Sequence, residues 1–146
     1  MIQATRKKYV AITPPAAIVD NSAFTTAAID TKGYRLLQIL VHFGAMDIAM
    51  AALKLQESEA SDMTGAADIS GTVGGTAFTL PSATGDNTFV LFTVQLKGNR
   101  MRYIDLVATG GDGTAGTYMT AIAMLSRGEE DPDSATDRGL GIEVNV

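Results

Sequence analysis

Short apolar runs, broken by Gly, Asp and Asn roughly every ten residues, leave this chain little choice but antiparallel β-structure. The clearest run is Asn87–Lys97 (NTFVLFTVQLK). At period two, Val90, Phe92, Val94 and Leu96 share one side. Phe89, Leu91, Thr93, Gln95 and Lys97 share the other, which turns polar only at one end. Gly98-Asn99 follows and predicts a tight hairpin to Met101–Thr109 (MRYIDLVAT). After an Asp30-Thr31-Lys32-Gly33 turn, Leu37, Ile39, Val41 and Phe43 face one way and Leu36, Gln38, Leu40 and His42 the other. Both sides are partly apolar, which predicts a central strand. Thr117–Ser126 is a further strand, with Ala121 and Ala123 allowing close packing. Leu140–Val146 (LGIEVNV) alternates cleanly and predicts a last strand, with Leu140, Ile142, Val144 and Val146 inward.

The remaining segments are shorter or mixed. Lys8–Thr13 reads as a first strand stopped by Pro14-Pro15, and Ala16–Val19 as a candidate second. Asp47–Glu57 is rich in Ala, Leu, Met and Lys, which favour helix. Period two nonetheless places Ala49, Ala51, Leu53 and Leu55 on one side, and we read a strand. Ser58–Ser70 is a polar loop with a short strand at its end, and Gly71–Leu80 a Gly-Gly turn with a short strand. About eight or nine short strands predict an all-β fold. Its expected form is one antiparallel β-sandwich domain over residues 1–146, jelly-roll-like, with 1–15 as an N-terminal arm and 128–139 as an acidic loop.

Composition narrows the function. A net charge of −5 argues against nucleic acid as a partner. No apolar run approaches the ~18–20 residues that span a bilayer, so no membrane partner is expected. Arg6-Lys7-Lys8 is not followed by an apolar stretch, so no secretory signal is expected. There is no Cys, hence no thiolate nucleophile and no Cys-based zinc site, and no Trp to serve as a sugar platform.

The acidic stretch Leu53–Gly71 holds Glu57, Glu59, Asp62 and Asp68 but lacks the ligand order of a calcium loop. So does the string of Asp131, Asp133 and Asp137. An acid pair such as Glu57 with Asp105 needs a separation that sequence does not give. The sole histidine, His42, sits in an alternating strand, and no G-x-S-x-G accompanies it. Gly110–Gly116 (GGDGTAG) has no following Lys and is a loop tip between strands. We therefore expect no catalytic residue, no metal and no cofactor. The candidate contact residues are Arg6, Lys7 and Lys8 at one end, Glu57, Glu59 and Asp62 in the middle, and Glu129, Glu130 and Asp131 at the other. Replacing Glu57, Glu59 and Asp62 together is expected to leave the fold intact. The opposite charge of the two ends predicts head-to-tail or neighbour-subunit pairing. Apolar residues on both faces of several strands predict more burial than one small core needs, as contacts between subunits would provide.

One resemblance bears on this. Residues 28–71 (AIDTKGYRLLQILVHFGAMDIAMAALKLQESEASDMTGAADISG) join an acid-Thr-x-Gly-Tyr turn to an apolar strand, a KLQES strand end and an acidic loop. RMRYIDLVATGGDGTAGTYMTAIAMLSRGEEDP continues with an Arg-Tyr strand, a Gly-Thr loop, a small-residue strand and an acid-Pro exit. From Ala28 to Pro132 the chain resembles the small jelly-roll cement, or decoration, proteins of tailed bacteriophages. The resemblance implies a non-enzymatic virion protein on the capsid surface, assembled in the host cytoplasm. It would bind the major capsid protein and itself, as a homodimer or homotrimer, and bridge capsomers. A head–tail connector or tail protein is the alternative, and a carbohydrate-binding β-sandwich module the second.

Overall fold

The computed structural model describes residues 6–13, 18–19, 23–111, 114–130 and 132–144. They form ten strands: β1 (Lys7–Ala11), β2 (Ile18–Val19), β3 (Ala23–Thr25), β4 (Ile29–Asp30), β5 (Leu36–Met46), β6 (Ala52–Ser58), β7 (Ala67–Asp68), β8 (Phe89–Gln95), β9 (Tyr103–Thr109) and β10 (Thr117–Ser126). One sheet runs β1-β10-β5-β8, with β2 also on β10; the other runs β3-β9-β6-β7, with β4 also on β9. Every strand pairing is antiparallel. The chain therefore changes sheet between β2 and β3, β4 and β5, β5 and β6, β7 and β8, β8 and β9, and β9 and β10. Leaving out the two-residue β2 and β4, the eight remaining strands take the order of a jelly roll, a β-sandwich of two Greek keys.

The core lies between the sheets. Leu37, Ile39, Val41 and Phe43 of β5 are fully buried, as their alternation predicts. They meet Leu53 and Leu55 of β6 and Ile104, Leu106 and Ala108 of β9 in one apolar cluster. Phe92 and Val94 of β8 are buried in it, and Val90 and Leu96 pack against it. Ala121 and Ala123 of β10 are buried as well, and their small side chains suit a central strand flanked by β1 and β5. Each large apolar side chain buried in this way contributes about 1.5–3 kcal/mol.

Four expectations need correction. The hairpin across Gly98-Asn99 does not form, because β8 pairs with β5 and β9 with β6, in different sheets. Gly98 turns at φ 70°, and Glu57 of the second sheet then takes the chain: its carboxylate accepts from Arg100 Nη1 at 2.9 Å and from the Met101 N–H at 3.2 Å. The strand expected over Asp47–Glu57 begins only at Ala52. Asp47 instead accepts the Thr114 and Ala115 N–H groups and ties down the loop before β10. Gly71–Leu80 holds a single bridge between Gly74 and Phe78 in place of a strand. Leu140–Val144 is not a strand either, and Ile142 and Val144 stand 84% and 77% exposed. Its alternation lacks a partner edge, since the Tyr9 N–H of β1 already donates to the Arg138 carbonyl at 2.7 Å. Residues 145 and 146 lie outside the described residues.

Candidate functional site

The pairing registers lay out the outer face of the first sheet row by row. Lys7, Ser126, Leu36 and Gln95 form the first row, and Tyr9, Met124, Gln38 and Thr93 the next. Ala11, Ile122, Leu40 and Leu91 form the third, and Thr120, His42 and Phe89 the fourth. Directly paired residues share a face, so these side chains all project away from the core. The face grades from cationic and polar to apolar. Its apolar end exposes Phe89 (61%) and Leu91 (52%), together with Ile122 and Tyr118. The His42 ring stacks on Phe89 with centroids 4.5 Å apart and planes 15° apart, so this lone histidine supports an exposed aromatic ring. Gly44 lies against the Tyr118 Cβ, and a side chain there would crowd the tyrosine.

At the cationic end, Arg6, Lys7, Arg35 and Arg127 surround a groove of about 700 Å³, with Gln38, Ser126 and Gly128. Lys8 takes no part. Neighbouring residues of a strand point to opposite faces, and Lys8 lines a separate cleft with Tyr34, Glu130, Asp133 and Asp137. Burial, and then the charge of Asp137, raise the Tyr34 hydroxyl above its ordinary pKa. Lys8 of the basic end and Glu130, Asp133 and Asp137 of the acidic end thus line one cleft within one chain. Arg138 holds the acidic loop: it is buried, donates to the Pro132 carbonyl at 3.1 Å and pairs with Glu143. Gly139 (φ 74°) sits where a Cβ would strike the Tyr9 carbonyl, so close docking of the loop on β1 requires glycine.

The carboxylates of the middle stretch separate. Glu57 has only 13% of its side chain exposed and binds the chain crossing from β8 to β9. Of Glu57, Glu59 and Asp62, Glu57 is therefore the one whose replacement removes a part-buried contact. Asp62 accepts the Thr64 N–H of its own turn, which lowers its pKa. Glu59 lines a cleft with Lys32, Lys97, Arg100 and Arg102. Glu129 anchors by its backbone N–H to the Gly33 carbonyl, and Asp131 lies outside the described residues. Among the described residues, no three His, Asp or Glu side chains gather as metal ligands would.

Glu57 and Asp105 do not form an acid pair. Glu57 pairs with core-facing Ile104, whereas Asp105 pairs with Gln56 on the opposite face of the second sheet. Asp105 is buried, its Oδ1 has no hydrogen-bond partner, and desolvation pushes its pKa up to about 6. Nearby, Asp68 accepts from Lys54 at 3.0 Å and from Gln56 at 2.7 Å, and these bonds lower its pKa. Arg102 grips Asp30 with two bonds of 2.8 and 2.7 Å, holding that carboxyl at about 2.

Sequence reasoning missed Phe89, Leu91, Tyr118 and Ile122 as the surface of interest. Their signal was present, as apolar residues on both faces of β8 and β10. It was assigned to no residue, because alternation does not say which face is left uncovered.

No family model matches the chain, and no curated protein matches it. Among solved structures, the chain is similar to a xylan-binding module CBM15, at 13% identity and a TM-score of 0.38, over 89% of this chain and 96% of that one.

Proposed function

We propose that this chain is a non-catalytic structural protein that works by docking the outer face of its first sheet onto other protein subunits. The observation that carries this reading is the uncovered apolar end of that face, where Phe89, Leu91, Tyr118 and Ile122 are exposed together. The four strands span about 14 Å and the four rows about 20 Å. That is about 280 Å², roughly a third of the ~800 Å² per partner that a stable interface buries. The free protein pairs with itself through this face. In its finer form the proposal is a capsid cement protein: many copies sit on the outside of a phage head, bind the major capsid protein and bridge capsomers. Many weak contacts on a lattice then add by avidity. The resemblance over Ala28 to Pro132 and the jelly-roll order of strands support that finer form.

Quantitative staining of purified particles that carry the protein tests it. Copies in the hundreds, lost when Leu91 and Ile122 are changed to Lys, are the expected result. A single small ring of copies would assign it to the head–tail connector instead. Phe89 and Tyr118, two exposed aromatic residues on one face, favour a second reading as a carbohydrate-binding module. One face of the Phe89 ring is already taken by His42, which leaves only the other for a sugar. Specific binding on a glycan array that disappears in Phe89→Ala would move the assignment to that class.

A further inference from the structure

The groove at the cationic end of the same face has a charge pattern the rest of the molecule lacks. The chain carries 16 acidic and 11 basic residues. Four of those basic residues line this one groove, and among the described residues no Asp or Glu lines it. Among the described residues, no ion pair involves Lys7, Arg35 or Arg127. Four cations elsewhere in the protein are matched by carboxylates: Lys54 by Asp68, Arg100 by Glu57, Arg102 by Asp30 and Arg138 by Glu143. Here the fold gathers like charges around a concavity. Gln38 and Ser126 add neutral hydrogen-bonding groups on its floor.

We propose that this groove receives a carboxylate-rich protein segment of the docked partner. Guanidinium groups present paired donors that fit carboxylates. One row further along the strands, the face becomes apolar at Leu40, Ile122 and Leu91. A segment carrying both acidic and apolar side chains matches that gradient, whereas a uniform polyanion such as nucleic acid matches only its cationic end. The overall charge of −5 also repels long polyanions. The inference rests on the outer face being the docking face, and it names what the partner must bring to it: acids beside an apolar strip.

A fluorescent synthetic peptide of alternating Glu and Leu, titrated with the full chain and followed by anisotropy, tests this. Arg35→Glu with Arg127→Glu is expected to weaken binding at least tenfold. Lys7→Glu, which leaves the loops untouched, should weaken it less but measurably. Both changes fall on residues outside the core, and an unchanged unfolding midpoint verifies the fold. Raising NaCl from about 0.05 to about 0.5 M should weaken wild-type binding and leave the residual binding of the double variant unchanged. Equal binding by wild type and the double variant overturns the proposal, as does equal binding of a peptide with Gln in place of Glu. Tighter binding of a DNA fragment, or competition by inorganic phosphate without any binding of the Glu peptide, also overturns it. Leu91→Ser with Ile122→Ser separates the two levels. Unchanged peptide binding there, with the charge dependence intact, removes the docking face and keeps the groove.

Discussion

The two sheets have similar inner faces and opposite outer ones. Inside, both offer fully buried Leu and Ile at period two. Outside, the second sheet carries Lys54, Gln56, Asp68 and Asp105, and most of these satisfy one another. The first carries Phe89, Leu91, Tyr118 and Ile122, which within the chain have water on one side. The difference teaches that alternation alone assigns a side chain to a face, while only the surroundings decide whether that face is core, solvent or interface. A polar outer face that closes its own hydrogen bonds has little need of a partner. An apolar one with a cationic end is built to meet something.

That contrast can be broken or sharpened by substitution. The inner faces should behave alike: Phe43→Ala in the first sheet and Leu55→Ala in the second should each cost about 3–5 kcal/mol in denaturant unfolding. A markedly smaller loss in either would mean that the two sheets do not share one core. Next in size, Glu57→Ala should cost about 1–3 kcal/mol, because it frees Arg100 and the Met101 N–H where the chain changes sheet. Glu57→Gln should recover part of that, since it can still accept from the N–H.

Asp105 gives a smaller effect with a definite sign. Folded, it keeps its proton up to about pH 6; unfolded, it releases it near 3.8. The folded state thus holds more protons between those values, and stability must fall as pH rises from about 4 to about 6. The full shift corresponds to roughly 3 kcal/mol. Burial of the replacing amide offsets much of it, so Asp105→Asn should gain about 1 kcal/mol at pH 7.5 and nothing at pH 4. Melting curves at the two pH values check this, and equal effects at both would contradict it. Asp30 has the opposite sign: its folded pKa is depressed, so what Arg102 contributes is lost only as pH falls from about 4 toward 2. The smallest stability change belongs to the outer face of the first sheet. Leu91→Ser should stay within about 0.5 kcal/mol of wild type, because the side chain gains little from its own fold.

Much of the fold was legible in the sequence, and the gaps have physical causes. The strands β5, β8 and β10 follow from alternation, because each buries one side completely or nearly so. The false hairpin at Gly98-Asn99 shows the limit: a turn signal joins two strands in sequence without saying that they pair. What separates β8 from β9 is the Glu57 clamp, a contact between residues 43 and 44 positions apart. Leu140–Val144 shows the converse, since a sound strand pattern forms no strand when the neighbouring edge is already bonded. The nine candidate contact residues were chosen by charge. Of the eight among the described residues, Lys7 and Lys8 point to opposite faces and Glu57 turns inward. Arg35 and Arg127, which complete the cationic groove with Lys7, are far apart in sequence and come together only through the pairing of β5 with β10.

The central claim is that the outer face of the first sheet is made to be covered. Light scattering of the purified protein over a range of concentrations, with Leu91→Lys/Ile122→Lys beside it, addresses this directly. The predicted result is a wild-type mass that rises to a defined multiple of 15.3 kDa, and a variant that stays monomeric and still unfolds in one cooperative transition. A wild-type protein that remains monomeric at every concentration, or a variant that assembles as well as wild type, would contradict it.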